Sequence, residues 1–458
     1  MTGPAAASSP AKLIELDHAP HAAARRRLER RTQLAWLTSL ASKVGTFGTQ
    51  LVAVPAVYRT LSQDGYAAYA AVTSAVSILG ALNLGIGGSL VTPIAQSAAL
   101  GDRTREGQLF RAGLLPLSLI CLLALVMALP AVLMIPLPVL LGKVAHTGIG
   151  GLRSSLLVAC VVTLASLPLT LVGSVRQAYQ ELHITNLLGA VSNGVLCAAL
   201  LAAAQTKAAL PVFVGCFTGI PLAASIMNGG LLLAGRPYLL AGWRGYQFQQ
   251  SLALVGDGVR FLAAAFSYAL VYQWPIYVMA RSRPAAESAA FAISMQFVLL
   301  PLSFVASVAQ PFWGTTAEAA ARGDLEWVKN QVTTLRRGGV TLGFFLGVVI
   351  ALWGEQVVLL WLGKPVALGW GLRMCAGAYL MLAVWEYLHF VLCLGSGRIR
   401  EASTMVFTRS AAFAVLAPWL VASWGGTGVW AGLCGSVLGY TAWRMPRLLG
   451  RALSRRNR

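Results

Sequence analysis

The chain alternates long apolar stretches with short clusters of charges, Gly/Pro turns and polar residues. Twelve such stretches fall at about 34–58, 67–96, 110–135, 153–175, 186–204, 209–234, 251–280, 287–314, 336–361, 370–395, 402–423 and 427–445. Most approach or exceed the roughly 20 residues a helix needs to cross the hydrocarbon layer. None has the strict alternation of a membrane strand, and backbone in hydrocarbon must pair its polar groups internally, so the pattern predicts helices. The expected fold is an all-α membrane protein of about twelve transmembrane helices, and an even count puts both termini on one side.

An internal repeat organises these spans. Ala67-Ala68-Tyr69-Ala70 matches Ala289-Ala290-Phe291-Ala292, and Ala95 to Asp102 matches Ala317 to Asp324, both at an offset of 222 residues. The matches fall on spans two and eight, each followed by a Gly-Asp turn, which predicts two pseudo-symmetric six-helix halves. Residues 1–33 read as a disordered basic tail, 34–235 as the N-terminal lobe and 236–250 as a linker. The C-terminal lobe is 251–448, and 449–458 is a second basic tail. Paired bundles that rock about a central site are an architecture of alternating access.

Composition agrees with the membrane reading: 57% of the 458 residues are hydrophobic and only 11% charged. The formal charge of +20 would suggest nucleic acid in a soluble protein. Here it is placed by topology instead: with the N-terminus inside, inner segments carry 24 Lys and Arg and outer loops seven. The positive-inside rule then puts both termini in the cytoplasm of a bacterial inner membrane and leaves a basic surface suited to anionic membrane lipids. The first 33 residues do not resemble a cleavable signal peptide. All seven cysteines lie in apolar runs without metal spacing and the five histidines are scattered, so no metal site or cofactor is expected.

Charges inside the spans are the candidate chemistry. Lys43, Arg260, Arg373, Glu386 and Arg409 lie well within predicted helices, where an uncompensated charge costs roughly 2.5 to 3.5 kcal/mol. At 1.5 Å per residue, Lys43 is about 18 Å along its helix from Arg31, and Arg409 about 13 Å from Arg400. Arg260 is nearer the cytoplasmic rim, and Arg373 lies toward the outer side. A cation-lined cavity suits an anionic head group such as a pyrophosphate, so Lys43, Arg260, Arg373 and Arg409 are the candidate substrate contacts. In the competing arrangement Arg260 pairs with Asp257 and Arg409 with Glu386. Lys43 has no obvious local partner; Asp257 and Glu386 are candidate charge or coupling partners. Gly85, Gly87, Gly88 and Pro311 are candidate hinge positions. Gly428/Gly432 and Gly435/Gly439 are small-residue pairs that let another helix approach.

Three motifs carry a family resemblance. These are Tyr58-Arg59-Thr60-Leu61 followed by Gly65-Tyr66-Ala67-Ala68-Tyr69, then Asn83-Leu84-Gly85-Ile86-Gly87, and Gln310-Pro311-Phe312-Trp313 running into Glu318 to Trp327. With them the chain resembles the Wzx-type polysaccharide flippases of the multidrug/oligosaccharidyl-lipid/polysaccharide (MOP) superfamily. The resemblance implies a MOP/MATE-like pair of six-helix lobes around a cationic cavity and no catalytic residue. The implied cargo is an undecaprenyl-pyrophosphate-linked oligosaccharide carried to the periplasmic leaflet for O-antigen or exopolysaccharide synthesis, with a glycan polymerase and a chain-length regulator as implied partners. A MATE-like drug or metabolite exporter would share the helix plan, but an exporter of cationic drugs wants acidic groups in its cavity, where only Glu386 lies deep. A membrane glycosyltransferase or ligase would need larger outer loops with acidic or His residues than this chain has.

Overall fold

The computed structural model describes residues 10–83, 85–242, 248–309, 316 and 325–455, and among them there are helices and turns but no strand. The first helical stretch, α1, is Pro10–Leu79, broken at Ser62. Residues expected to form an unstructured tail are helical from Pro10, the first described residue, onward. Their Ala, Leu, Glu and Arg content gives that stretch a high intrinsic propensity. At Ser62 the chain turns back: Tyr58 and Tyr66 would be about 12 Å apart along a straight helix, yet their rings meet edge-on at 5.9 Å. Thus α1 holds the first expected span and the start of the second.

The second span is itself interrupted. A tight turn at Gly80–Asn83 and Gly85, at φ 67°, separate it from α2 (Ile86–Ala99). The long α3 (Arg103–Met134) is capped by Asp102, whose carboxylate accepts from the Arg105 amide at 2.9 Å. A short α4 (Leu137–Leu141) follows in the loop on the side away from the termini. The fourth span is shared by α5 (Leu152–Ser166) and α6 (Thr170–Ala178), and α7 (Leu182–Gln205) and α8 (Leu210–Gly235) complete the first lobe.

In the second lobe, α9 (Phe248–Tyr268) runs through a π-turn at Ala269–Gln273 into α10 (Trp274–Ser282). Then come α11 (Ala285–Ala309), α12 (Leu325–Leu362), α13 (Trp370–Gly395) and α14 (Ile399–Ser436). A second π-turn, Val437–Thr441, leads to α15 (Ala442–Arg455). Among the described residues, eight helical stretches are long and apolar enough to cross a membrane. One of these, Ile399–Arg451, contains both of the last two expected spans, because Gly425 adopts φ 59° and reverses the chain. A side chain there would have to enter the left-handed region. The reversal brings Gly432 against Leu420 and Phe413 of the arm before it, and Gly428 against Leu420 and Trp424. The helix admitted by that small-residue pair is therefore the other arm of the same hairpin, while Gly435 and Gly439 face open space. Helices α12 and α13 touch backbone to backbone: a Cβ on Gly347 would lie 2.6 Å from the Gly377 carbonyl oxygen.

The lobes meet on the side away from the termini. Gln63 Nε2 donates to the Ala286 carbonyl at 3.2 Å, so the two repeat-bearing helices cross at neighbouring repeat positions. From Tyr66 to Val72 and from Ala289 to Ile293 every residue is at most 8% exposed, which means both helices are covered on all sides there. Alanines make this close approach possible. Nearer the termini burial narrows to one face, through Ser74 and Val76 on α1 and Leu302, Val305 and Ala309 on α11, while Ser77 and Phe304 are exposed. The first arm of α1 behaves likewise, buried from Ala53 to Tyr58 except at the half-buried Pro55, and open around Lys43, Val44 and Phe47. Between α1 and α11, helices packed all round at one end and less so at the other form a V that opens toward the termini, and along one flank the lobes stay joined where Ser89 Oγ of α2 donates to the Leu254 carbonyl of α9 at 3.1 Å.

The linker between lobes is tied to the first lobe by a polar network. Glu181 binds Arg176 at 3.1 Å and Arg236 at 2.6 Å, and the Glu106 carboxylate accepts from the hydroxyls of Tyr179 and Tyr238. Arg111 donates to the carbonyls of Leu239 and Ala241. Burial, chiefly, raises the Tyr238 phenol above its ordinary pKa, so it stays a donor. The linker thus moves with the N-terminal lobe as far as Ala241.

Candidate functional site

The V creates one central cleft, and the sequence-derived residues divide sharply in how they stand toward it. Lys43 is exposed on α1. Residues 7, 11 and 14 positions further on, Gln50, Val54 and Val57, share its helical face, and Val54 and Val57 are buried where the lobes meet. Lys43 therefore lies on the exposed continuation of a helical face that is buried further along at Val54 and Val57. The rotation of α1 is held by a polar seam on another side of the helix. Asn193 Nδ2 of α7 donates to Thr46 Oγ1 at 3.1 Å, and Thr49 Oγ1 donates to the Asn193 carbonyl at 3.3 Å. Among the described residues Lys43 has no ion-pair partner. Asn193 is a positioning residue that the charge-based reading passed over; its signal was an amide in the middle of the fifth span.

Arg409 is placed differently. Its Nε lies 3.1 Å from Glu386 Oε1, and the two side chains are 4% and 9% exposed. Nη1 donates to Ser436 Oγ at 3.2 Å. Above the pair the Tyr379 hydroxyl donates to that of Tyr272 at 3.1 Å, and the Tyr379 ring lies 5.2 Å from that of Trp430. Both π-turns border this cluster: Tyr272 lies within the first, and Ser436 immediately precedes the second. Such bulges recur at functional sites because they shift the side chains that follow. Arg409, read from sequence as a cargo-facing cation, is thus neutralised by Glu386 inside its own lobe.

Arg373 is compensated too. It faces Glu355 at 4.0 Å, approaches the Leu352 carbonyl at 3.5 Å and lies 5.5 Å over the Trp370 ring, all at the outer end of its lobe. Arg260 and Asp257 belong to α9, but their side chains lie outside the described residues, as does Pro311. Of the hinge glycines, Gly85 stands at the break before α2. Gly87 is packed so tightly that a Cβ would strike Ser174 Oγ at 2.5 Å, and Gly88 is exposed.

The closed end of the cleft is a second functional element. Arg59 donates to the carbonyls of Leu362 and Trp361, Trp361 Nε1 donates to the Leu51 carbonyl at 2.9 Å, and the Tyr277 hydroxyl donates to the Leu140 carbonyl at 2.6 Å. Each bond joins one lobe to the other, so opening this side must break them. Arg59→Ala should raise labelling of an Ala290→Cys reporter by an impermeant thiol reagent, in a background without native cysteines, by about tenfold. A charge-assisted hydrogen bond contributes about 1.5–3 kcal/mol, and about 1.4 kcal/mol is a factor of ten. Unchanged labelling would show that Arg59 does not hold the outer side shut.

No family model matches the sequence, and no curated protein matches it. Among solved structures the chain is similar to the inward-facing conformation of a multidrug resistance MATE family transporter of the MOP superfamily, with TM-score 0.70 and 14% identity over 92% of this chain and 99% of that one. An outward-facing conformation of such a transporter gives TM-score 0.65 at 13% identity, over 94% and 97% of the two chains. A MOP superfamily transporter from Pyrococcus furiosus, described as having a binding pocket of reverse polarity that suggests a different function, gives 0.65 at 13%, over 93% and 96%. The chain therefore has an all-α, MOP/MATE-like membrane fold.

Proposed function

We propose that the protein flips an undecaprenyl-pyrophosphate-linked oligosaccharide from the cytoplasmic to the periplasmic leaflet by alternating access of its two lobes. The observation that carries this reading is Lys43, an exposed cation with no ion-pair partner among the described residues; in this reading it meets an anionic head group in the cleft. The described acidic residues support the same sign. Glu386 is paired with Arg409, while Glu355 and Glu287 face Arg373 and Arg283 at the outer end. A cation-selective exporter would need free carboxylates in the cleft. The V opens toward the basic termini, which the positive-inside rule places in the cytoplasm, so the state described is the one that loads cargo. The sugar would occupy the cleft while the polyprenyl tail stays in lipid.

The test is the leaflet distribution of lipid-linked glycan in a strain lacking the protein, read with an impermeant glycan-modifying probe. Accumulation on the cytoplasmic leaflet, relieved by the wild-type protein, is the expected result. Normal distribution in the deletion strain, together with altered drug susceptibility, would replace this reading with a small-molecule exporter.

A further inference from the structure

The last helix carries a basic-aromatic cluster that the cleft does not use. On α15 the Arg444 guanidinium lies 4.2 Å over the Tyr440 ring and 5.0 Å over that of Trp443, and the Arg447 guanidinium lies 4.8 Å over the same Trp443 ring. Two full positive charges are thus held against one indole. Neither is paired with a carboxylate among the described residues.

The position makes that arrangement costly. Trp385 Nε1 of α13 donates to the Ala442 carbonyl at 3.0 Å, which puts Ala442 level with Trp385, about 15 Å along α13 from Gly395. The start of α15 therefore lies within the leaflet on the side of the termini. Met445 and Leu449 form its buried face, at 0% and 3% exposure, against Leu392, Cys393 and Ala402. Trp443 and Arg447 face outward one turn apart, below the exposed Leu438, so the outer face of the helix passes from apolar to basic as it approaches the head groups. Two like charges in this low-dielectric zone repel each other strongly, and hydration by snorkelling is limited while both are held on the ring.

We propose that Arg444 and Arg447, braced on Trp443 and Tyr440, form a binding site for the phosphate of an anionic phospholipid in the leaflet on the side of the termini. Contact with the rings uses no N–H donor on a carboxylate, so the guanidiniums keep N–H groups for the forked contacts that phosphate oxygens accept. A phosphodiester drawn in from the adjoining head-group layer removes the repulsion. The site rests on the membrane placement of the chain and is independent of the cargo in the cleft.

The experiment compares phospholipid retained by the purified protein after exchange into mixed vesicles of phosphatidylglycerol and phosphatidylcholine. The double variant Arg444→Gln/Arg447→Gln should retain about thirtyfold less phosphatidylglycerol than wild type, from about 1 kcal/mol per arginine near an anionic surface and about 1.4 kcal/mol per factor of ten. Arg444→Lys/Arg447→Lys, which keeps the charge but not the fork, should fall between them. The control Arg105→Gln, an exposed arginine on the same side, should retain the wild-type amount. Equal retention by wild type and the glutamine variant, or an equal loss in the Arg105→Gln control, would overturn the proposal. Thermal unfolding of each variant in detergent shows that a loss of lipid is not a loss of fold.

Discussion

Lys43→Ala should lower the rate of leaflet transfer of the lipid-linked glycan by about a hundredfold, the equivalent of roughly 3 kcal/mol, while leaving the folded protein as stable as wild type. The two halves of this expectation have separate physical grounds. An ammonium about 4 Å from a pyrophosphate in a partly hydrated cleft contributes a few kcal/mol, and no other described cation on that face can substitute for it. Stability is spared because Lys43 is exposed and has no ion-pair partner to strand, and substitutions of that kind usually change stability by less than about 0.5 kcal/mol. Lys43→Arg should keep most of the activity, since it preserves the charge. The measurement is the initial rate at which the glycan becomes accessible to an impermeant probe, normalised to membrane-inserted protein. Wild-type transfer by Lys43→Ala would remove the cationic cleft from the mechanism.

Arg409→Ala should have the opposite profile, with a loss of stability that precedes any loss of transfer. It leaves Glu386 buried opposite an empty site, and breaking a buried ion pair by removing one partner costs about 3–5 kcal/mol. The double replacement Arg409→Met/Glu386→Leu should recover most of that loss, because two well-packed apolar side chains carry no desolvation penalty. Thermal unfolding of wild type, both single variants and the double variant in one detergent gives the coupling energy directly. If Arg409→Ala unfolds like wild type but transfers no glycan, Arg409 is a cargo contact and the pair with Glu386 is incidental. The two experiments therefore distinguish a cation that meets cargo from one that holds its lobe together.

These expectations differ although both residues looked alike in the sequence, each a single cation deep in an apolar span. Lys43 was distinguished there by the lack of a local acidic neighbour, and it has no ion-pair partner among the described residues. For Arg409 the alternative partner, Glu386, was visible as a charge on the neighbouring span, but which of two deep charges faces which depends on helix rotation. That rotation is set by packing of the Gly425 hairpin and by the two π-turns, neither of which has a local signature strong enough to read. For the same reason Arg373 was grouped with the cleft cations. Its partner Glu355 lies on the preceding helix beyond a turn, and only the close approach of Gly347 to Gly377 decides how α12 and α13 are aligned.

What the sequence determined by itself was the all-α helical class and the order of the apolar stretches, while the repeat at 222 residues and the charge bias supplied the expected two-lobe plan and its expected orientation. All of these follow from local hydrophobicity and charge, because a helix crossing hydrocarbon must satisfy its backbone alone and needs no neighbour to be recognised. What only the tertiary structure decided was which side of the cleft is shut, where the helices break at Ser62, Gly85 and Gly425, and which buried charges are neutralised. Those depend on contacts between residues hundreds of positions apart, such as Arg59 with Leu362 or Gln63 with Ala286, whose free energies of a few kcal/mol arise only once the lobes have come together.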